Sequence, residues 1–119
     1  MAPQAADEWS ADNAIGRLSI DKTFTGALEA TSKGQMLAHS STVKGSAGYV
    51  AVEKVTGTLE GRSGTFVLLH RGVMMRGTPD LSVTVVPDSG TGDLAGLSGS
   101  MQIVIEPGVH RYVFSYAFD

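Results

Sequence analysis

The chain contains no cysteine, which excludes disulfides, thiolate metal sites and cysteine nucleophiles. Packing and hydrogen bonds alone must hold it together. Charge is sparse, at 18%, and aromatic residues make up only 7%. The nine basic residues are scattered and outweighed by acidic ones, for a net charge of −3. That balance offers no electrostatic footprint for nucleic acid. No apolar run approaches the roughly 18 residues that would span a bilayer as a helix, and the first residues lack the basic-then-apolar order of a signal peptide. The expectation is a cytoplasmic protein with neither a membrane nor a nucleic acid as partner.

What is present fits one globular domain: 119 residues, 42% of them hydrophobic, punctuated by 15 glycines. Residues 1–14 are polar and Ala-rich around Trp9 and read as a flexible arm, leaving 15–119 as the folded domain. Beyond the arm the periodicity is two, as in Leu18 and Ile20 or Leu81, Val83 and Val85, which marks half-buried strands. Strands are expected over 15–24, 26–32, 34–40, 47–59, 64–72, 80–87, 99–106 and 109–118. Many short strands with glycine corners and no helical stripe predict an all-β chain. A single closed antiparallel barrel of about eight strands is favoured because closure leaves no exposed edge.

Two hairpins carry register. If Glu60 pairs with Ser63 across a tight turn, Glu53 lies opposite His70 on a face shared with Ala51, Val55, Leu59, Phe66 and Leu68. The reverse face carries Val50, Val52, Val67 and Leu69 among polar residues, which suits contacts between copies in a homo-oligomer. In the last hairpin, Glu106-Pro107-Gly108-Val109 places Ile103 opposite Tyr112, Met101 opposite Phe114 and Ile105 opposite His110. The inferred lining is apolar, with Glu53, His70, His110 and the hydroxyls of Tyr112 and Tyr116 as its polar groups. Small-molecule pockets are usually built this way.

The Gly-rich stretch from Ser89 to Gly99 resembles that of allene oxide cyclase-like barrels, a superfamily that includes the dirigent proteins. Thr23-Phe24-Thr25-Gly26, Tyr49-Val50-Ala51-Val52-Glu53, Gly61 to Leu68 and Val85-Val86-Pro87 resemble more closely a family of small bacterial proteins of unknown function. The resemblance spans about residues 18–118 and implies an eight-stranded barrel, oligomerisation and, by analogy with the cyclases, an apolar substrate enclosed in the barrel. His70 matches that bacterial family, whereas Leu69 stands where a glutamine is expected.

A carboxylate beside an imidazole in an apolar barrel can act as a general acid/base pair or can simply fix strand register. Glu53 and His70 are the candidate catalytic residues, and Phe66, Leu68, Tyr112, Phe114 and Tyr116 the candidate ligand-binding ones. Glu29 either joins Glu53 as a second inner carboxylate, as a hydrolase would need, or faces solvent, the commoner arrangement. His39, His70 and His110 lack the short spacing of metal ligands, and Ser89-Gly90-Thr91-Gly92 lacks the lysine and helix of a phosphate loop. No metal or cofactor is expected. Arg62 could take an anion at the barrel mouth. The preferred reading is a barrel that binds a small apolar or amphipathic molecule. The alternatives are a cyclase or isomerase and a structural protein whose barrel is filled by its own side chains.

Overall fold

Alternation of buried and exposed side chains runs through the central strands of the computed structural model, which describes residues 2–3, 15–106 and 109–119, with side chains for 15–103 and 112–119. The strands are β1 (Ala2–Pro3), β2 (Gly16–Phe24), β3 (Leu28–Ser40), β4 (Ala47–Leu59), β5 (Arg62–Met75), β6 (Thr78–Val85), β7 (Leu97–Glu106) and β8 (Val109–Phe118). A 3-10 turn at Gly92–Leu94 is the one helical element among the described residues. The chain is therefore all-β: seven long antiparallel strands and a two-residue one form a single sheet in chain order. Ala2 and Pro3, within the segment expected as an arm, pair with Ser19 and Leu18. Trp9 lies outside the described residues.

Among the described residues no ladder joins β8 to β1 or β2. The reason is topological: a meander of seven long strands leaves β2 and β8 running in the same direction, so they cannot complete an antiparallel ladder with each other. Side chains bridge the seam instead. The Tyr112 hydroxyl donates to the Thr25 carbonyl at 2.9 Å, with the Leu28 carbonyl at 3.1 Å, and its ring meets Phe24 edge-on at 5.5 Å.

The first hairpin differs from its expected register. Leu59 pairs with Arg62 across a two-residue turn in which Glu60 (φ 47°) and Gly61 (φ 82°) are both left-handed, the geometry that matches the twist of the flanking strands. His70 therefore lies opposite Ala51, and Glu53 opposite Leu68. The shift is even, so every side chain keeps its expected face, and Glu53 and His70 become diagonal rather than direct neighbours. The last hairpin has the expected pairs, Met101 with Phe114, Ile103 with Tyr112 and Ile105 with His110. The His110 side chain lies outside the described ones.

The segments expected as separate strands over 26–32 and 34–40 are one continuous strand, β3. Gly34, expected to begin the second of them, is a mid-strand ladder residue opposite Glu53. A Cβ there would come within 2.1 Å of the Val52 carbonyl oxygen and 2.6 Å of the Glu53 Cα. The glycine permits close approach of two backbones rather than a turn.

Leu28, Val55, Leu59, Phe66 and Leu68 are sealed in the core together with Leu94 from the 3-10 turn. The Gly-rich run is tied to β5 by the Thr91 amide donating to the Thr65 carbonyl at 2.8 Å. It thereby lowers Leu94 onto one end of the core as a plug.

Candidate functional site

Glu53 is completely buried, yet its carboxylate is surrounded by donors. His70 Nε2 lies 2.7 Å from Oε1, the Ser32 hydroxyl donates to Oε2 at 2.9 Å, and Lys22 Nζ stands 3.6 Å from Oε2. The four side chains come from β2, β3, β4 and β5. Alternation places each on the concave face, Lys22 beside Ile20 and Phe24 and Ser32 beside Leu28 and Ala30.

Burial pushes the Glu53 pKa up, but the His70 hydrogen bond, the Lys22 charge, the His70 charge and the Ser32 hydrogen bond together outweigh it and hold the carboxyl below its usual value. Burial, then the Glu53 charge, raises the Tyr49 pKa. An ionised Glu53 can only accept, so His70 Nε2 must carry the hydrogen that bridges them. In the neutral imidazole the other nitrogen, Nδ1, is then an acceptor. Among the described residues Nδ1 has no hydrogen-bond partner. Among the described residues no sealed side-chain polar atom lacks a partner, so they do not wall in Nδ1.

A cavity of about 250 Å³ lies beneath the seam, reached by Glu53, His70 and Lys22 and otherwise walled by Thr23, Phe24, Thr25, Met101, Ile103 and Tyr112. A second hollow of about 410 Å³ lies nearer the β2–β3 turn, against Leu28, Leu59, Glu60, Tyr112, Phe114 and Tyr116. Tyr112 borders both, and its bonds to Thr25 and Leu28 make it the partition between them.

Of the residues singled out in the sequence, Glu53 and His70 meet as expected, and Tyr112, Phe114 and Tyr116 line interior space. Phe66 and Leu68 are instead core residues, 1% and 0% exposed, with Phe66 stacked on Phe114 at 5.9 Å between ring centres. The Tyr116 hydroxyl bonds Glu60. Glu29 is exposed, so the second inner carboxylate of a hydrolase is not supplied there. Arg62 lies 4.2 Å from the centre of the Phe118 ring, a cation–π contact. Among the described residues no three potential metal ligands of the His, Cys, Asp or Glu types cluster, and no helix is long and apolar enough to cross a membrane.

Sequence reasoning missed Ser32 and Lys22. Ending the expected strand at 32 made Ser32 a terminal residue rather than a mid-strand one, and a lysine between Ile20 and Phe24 reads as solvated unless a buried carboxylate is known to face it.

The lowered Glu53 pKa has a consequence in acid. Around the ordinary glutamate value, about 4.3, the unfolded chain binds more protons than the folded one, so stability rises with pH there. The Glu53 contribution should be complete above that value and disappear as pH falls through the lower folded one. Glu53→Gln should flatten this acid limb in urea titrations taken at stepped pH; a limb of unchanged slope would show that other carboxylates carry it.

The family model for "Protein of unknown function (DUF3224)" matches residues 1–116. The chain belongs to that family. A crystal structure of a DUF3224 protein of unknown function from Shewanella oneidensis MR-1 is 50% identical, with a TM-score of 0.92 over 99% of this chain and 89% of that one. No curated protein matches the chain. Membership thus fixes the fold of this DUF3224 member and leaves its chemistry to be argued from the cavity.

Proposed function

We propose that this protein binds a small, mostly apolar molecule bearing one polar group in the cavity beneath the seam. One observation carries the reading: an imidazole held through Nε2 by a buried carboxylate lines a cavity together with Phe24, Met101 and Ile103, and its Nδ1 has no hydrogen-bond partner among the described residues. At about 250 Å³ the cavity falls below the roughly 300–1,000 Å³ of drug-sized sites, so the occupant is small. A barrel filled by its own side chains would leave no such space.

Phenol and cyclohexanol are suitable probes. Each should receive saturation from the protein in ligand-observed NMR, and Ile103→Trp, which fills the cavity, should abolish the transfer. Transfer of equal strength to the Ile103→Trp variant would place the contact elsewhere and overturn the reading.

Closure into an allene oxide cyclase-like barrel is part of the same proposal. With β2 and β8 parallel, an antiparallel closing strand must lie between them, and β1 already runs antiparallel to β2. It has the polarity needed to bridge to β8.

The outer face of β3, β4 and β5 is the proposed contact between copies. Leu37, Val50, Val52, Leu69 and Val73 are 38–52% exposed on it, and Leu37, Val50 and Val73 border a shallow outer hollow of about 640 Å³ with Arg17 and Arg71. Val67, also expected on this face, is half-buried. Val52→Asp combined with Leu69→Asp should convert an oligomer to monomers by light scattering behind a sizing column, with circular dichroism unchanged. An unchanged mass would remove this face from assembly.

A further inference from the structure

We infer that the Lys22–His70 pair makes this cavity a proton-transfer site for small carbonyl compounds with an acidic carbon next to the carbonyl, specifically one that moves a double bond into conjugation. The inference rests on the binding reading above. It goes further because it assigns a reaction and a polarity to the site.

Three features support it. His70 lines the cavity with Nε2 2.7 Å from Glu53, which leaves Nδ1, without a hydrogen-bond partner among the described residues, as the nitrogen available to act as a base. This is the arrangement in which a carboxylate sets the tautomer of a base and stabilises the imidazolium formed when it takes a proton. Lys22 lies on the same cavity with its side chain 34% exposed, and 3.6 Å from Glu53 is an ion-pair distance that leaves ammonium hydrogens free to point elsewhere. A cation at the rim and a base in the wall are the two groups an enolate-forming step requires. Finally, Phe24, Met101 and Ile103 supply apolar wall, and the Tyr112 hydroxyl is committed to the Thr25 and Leu28 carbonyls.

The step balances without an outside reactant. Nδ1 removes a proton from the carbon between carbonyl and alkene. The C–H electron pair moves towards the carbonyl, whose oxygen becomes a dienolate held by the Lys22 ammonium. The imidazolium then returns the same proton to the far alkene carbon, and the double bond settles in conjugation. Substrate and product are isomers, and His70 ends as it began. His70 and Lys22 are catalytic residues in this scheme; Glu53 is a positioning residue.

The probe is 3-cyclohexen-1-one, whose conversion to 2-cyclohexen-1-one is followed by ultraviolet absorbance, with saturation transfer to the product recorded on the same protein. The wild type should accelerate the conversion above buffer. Lys22→Met, at the rim and expected to fold, should lower kcat by roughly tenfold, and His70→Asn by on the order of 100-fold, the usual scale of a general base. Glu53→Gln should shift the pH dependence of kcat, which a purely structural role would not move. Saturation transfer without acceleration would overturn the proton-transfer proposal and leave the binding reading standing. Acceleration unchanged by both Lys22→Met and His70→Asn would overturn it as well. Neither transfer nor acceleration would overturn both.

Discussion

Replacing Glu53 with alanine should lower the free energy of unfolding by about 3–5 kcal/mol, the cost of removing one partner from a buried charged pair. The side chain is fully buried, and its loss leaves His70 Nε2–H and the Ser32 hydroxyl without their acceptor. The Lys22 charge loses its counter-ion at the same time. The midpoint of urea unfolding should fall with the slope unchanged. A loss below about 1 kcal/mol, the scale of an exposed pair, would mean that water already screens the cluster. The double change Glu53→Met with His70→Leu should recover most of the loss, because apolar residues of similar size avoid the desolvation cost of the pair altogether. That double variant should be stable and bind no phenol, which would separate the structural contribution of the cluster from its use.

The second large effect is expected at Gly34. In Gly34→Ala the added methyl would stand 2.1 Å from the Val52 carbonyl oxygen and 2.8 Å from the Glu53 Cβ. Both neighbours belong to the facing strand, so relief requires β3 and β4 to separate where the site is built. Overpacking of this kind costs about 1–3 kcal/mol and sometimes more, and the upper end is expected here because the clash includes backbone. Amide exchange should accelerate along 32–36 and 51–55. Exchange and stability equal to wild type would show that the ladder widens at no cost and that Gly34 has another role.

Much of the fold was legible because alternation survives errors of register. Reading Glu60 with Ser63 instead of Leu59 with Arg62 displaced every pair by an even step, so Glu53, His70, Phe66 and Leu68 kept the concave face. The last hairpin was legible to the residue. The expected break at residue 33, beside Gly34, has a physical origin: a glycine that opens a corner and one that admits a neighbouring backbone look alike in sequence. The site was half legible. Glu53 and His70 announce themselves as polar residues on an apolar face, whereas Lys22 and Ser32 gain meaning only from the strand pairing that brings β2 and β3 to them. Phe66 and Leu68 were correctly placed inside, but periodicity cannot distinguish a wall of a cavity from the packing behind it.

Chain-order pairing of the strands also sets a sequence of events. Lys22, Ser32, Glu53 and His70 all come from strands that neighbour one another in the chain, β2 to β5, whereas Met101, Ile103 and Tyr112 arrive with the last two strands. Neighbouring hairpins form with the smallest loop-closure cost, so the polar cluster can assemble on an open sheet while its roof is still missing. Among the described residues the roof is secured against β2 and its turn by the Tyr112 contacts rather than by a ladder. A molecule held in the cavity therefore acts on the latest event of folding: it favours the roofed state by mass action and slows the departure of β7 and β8.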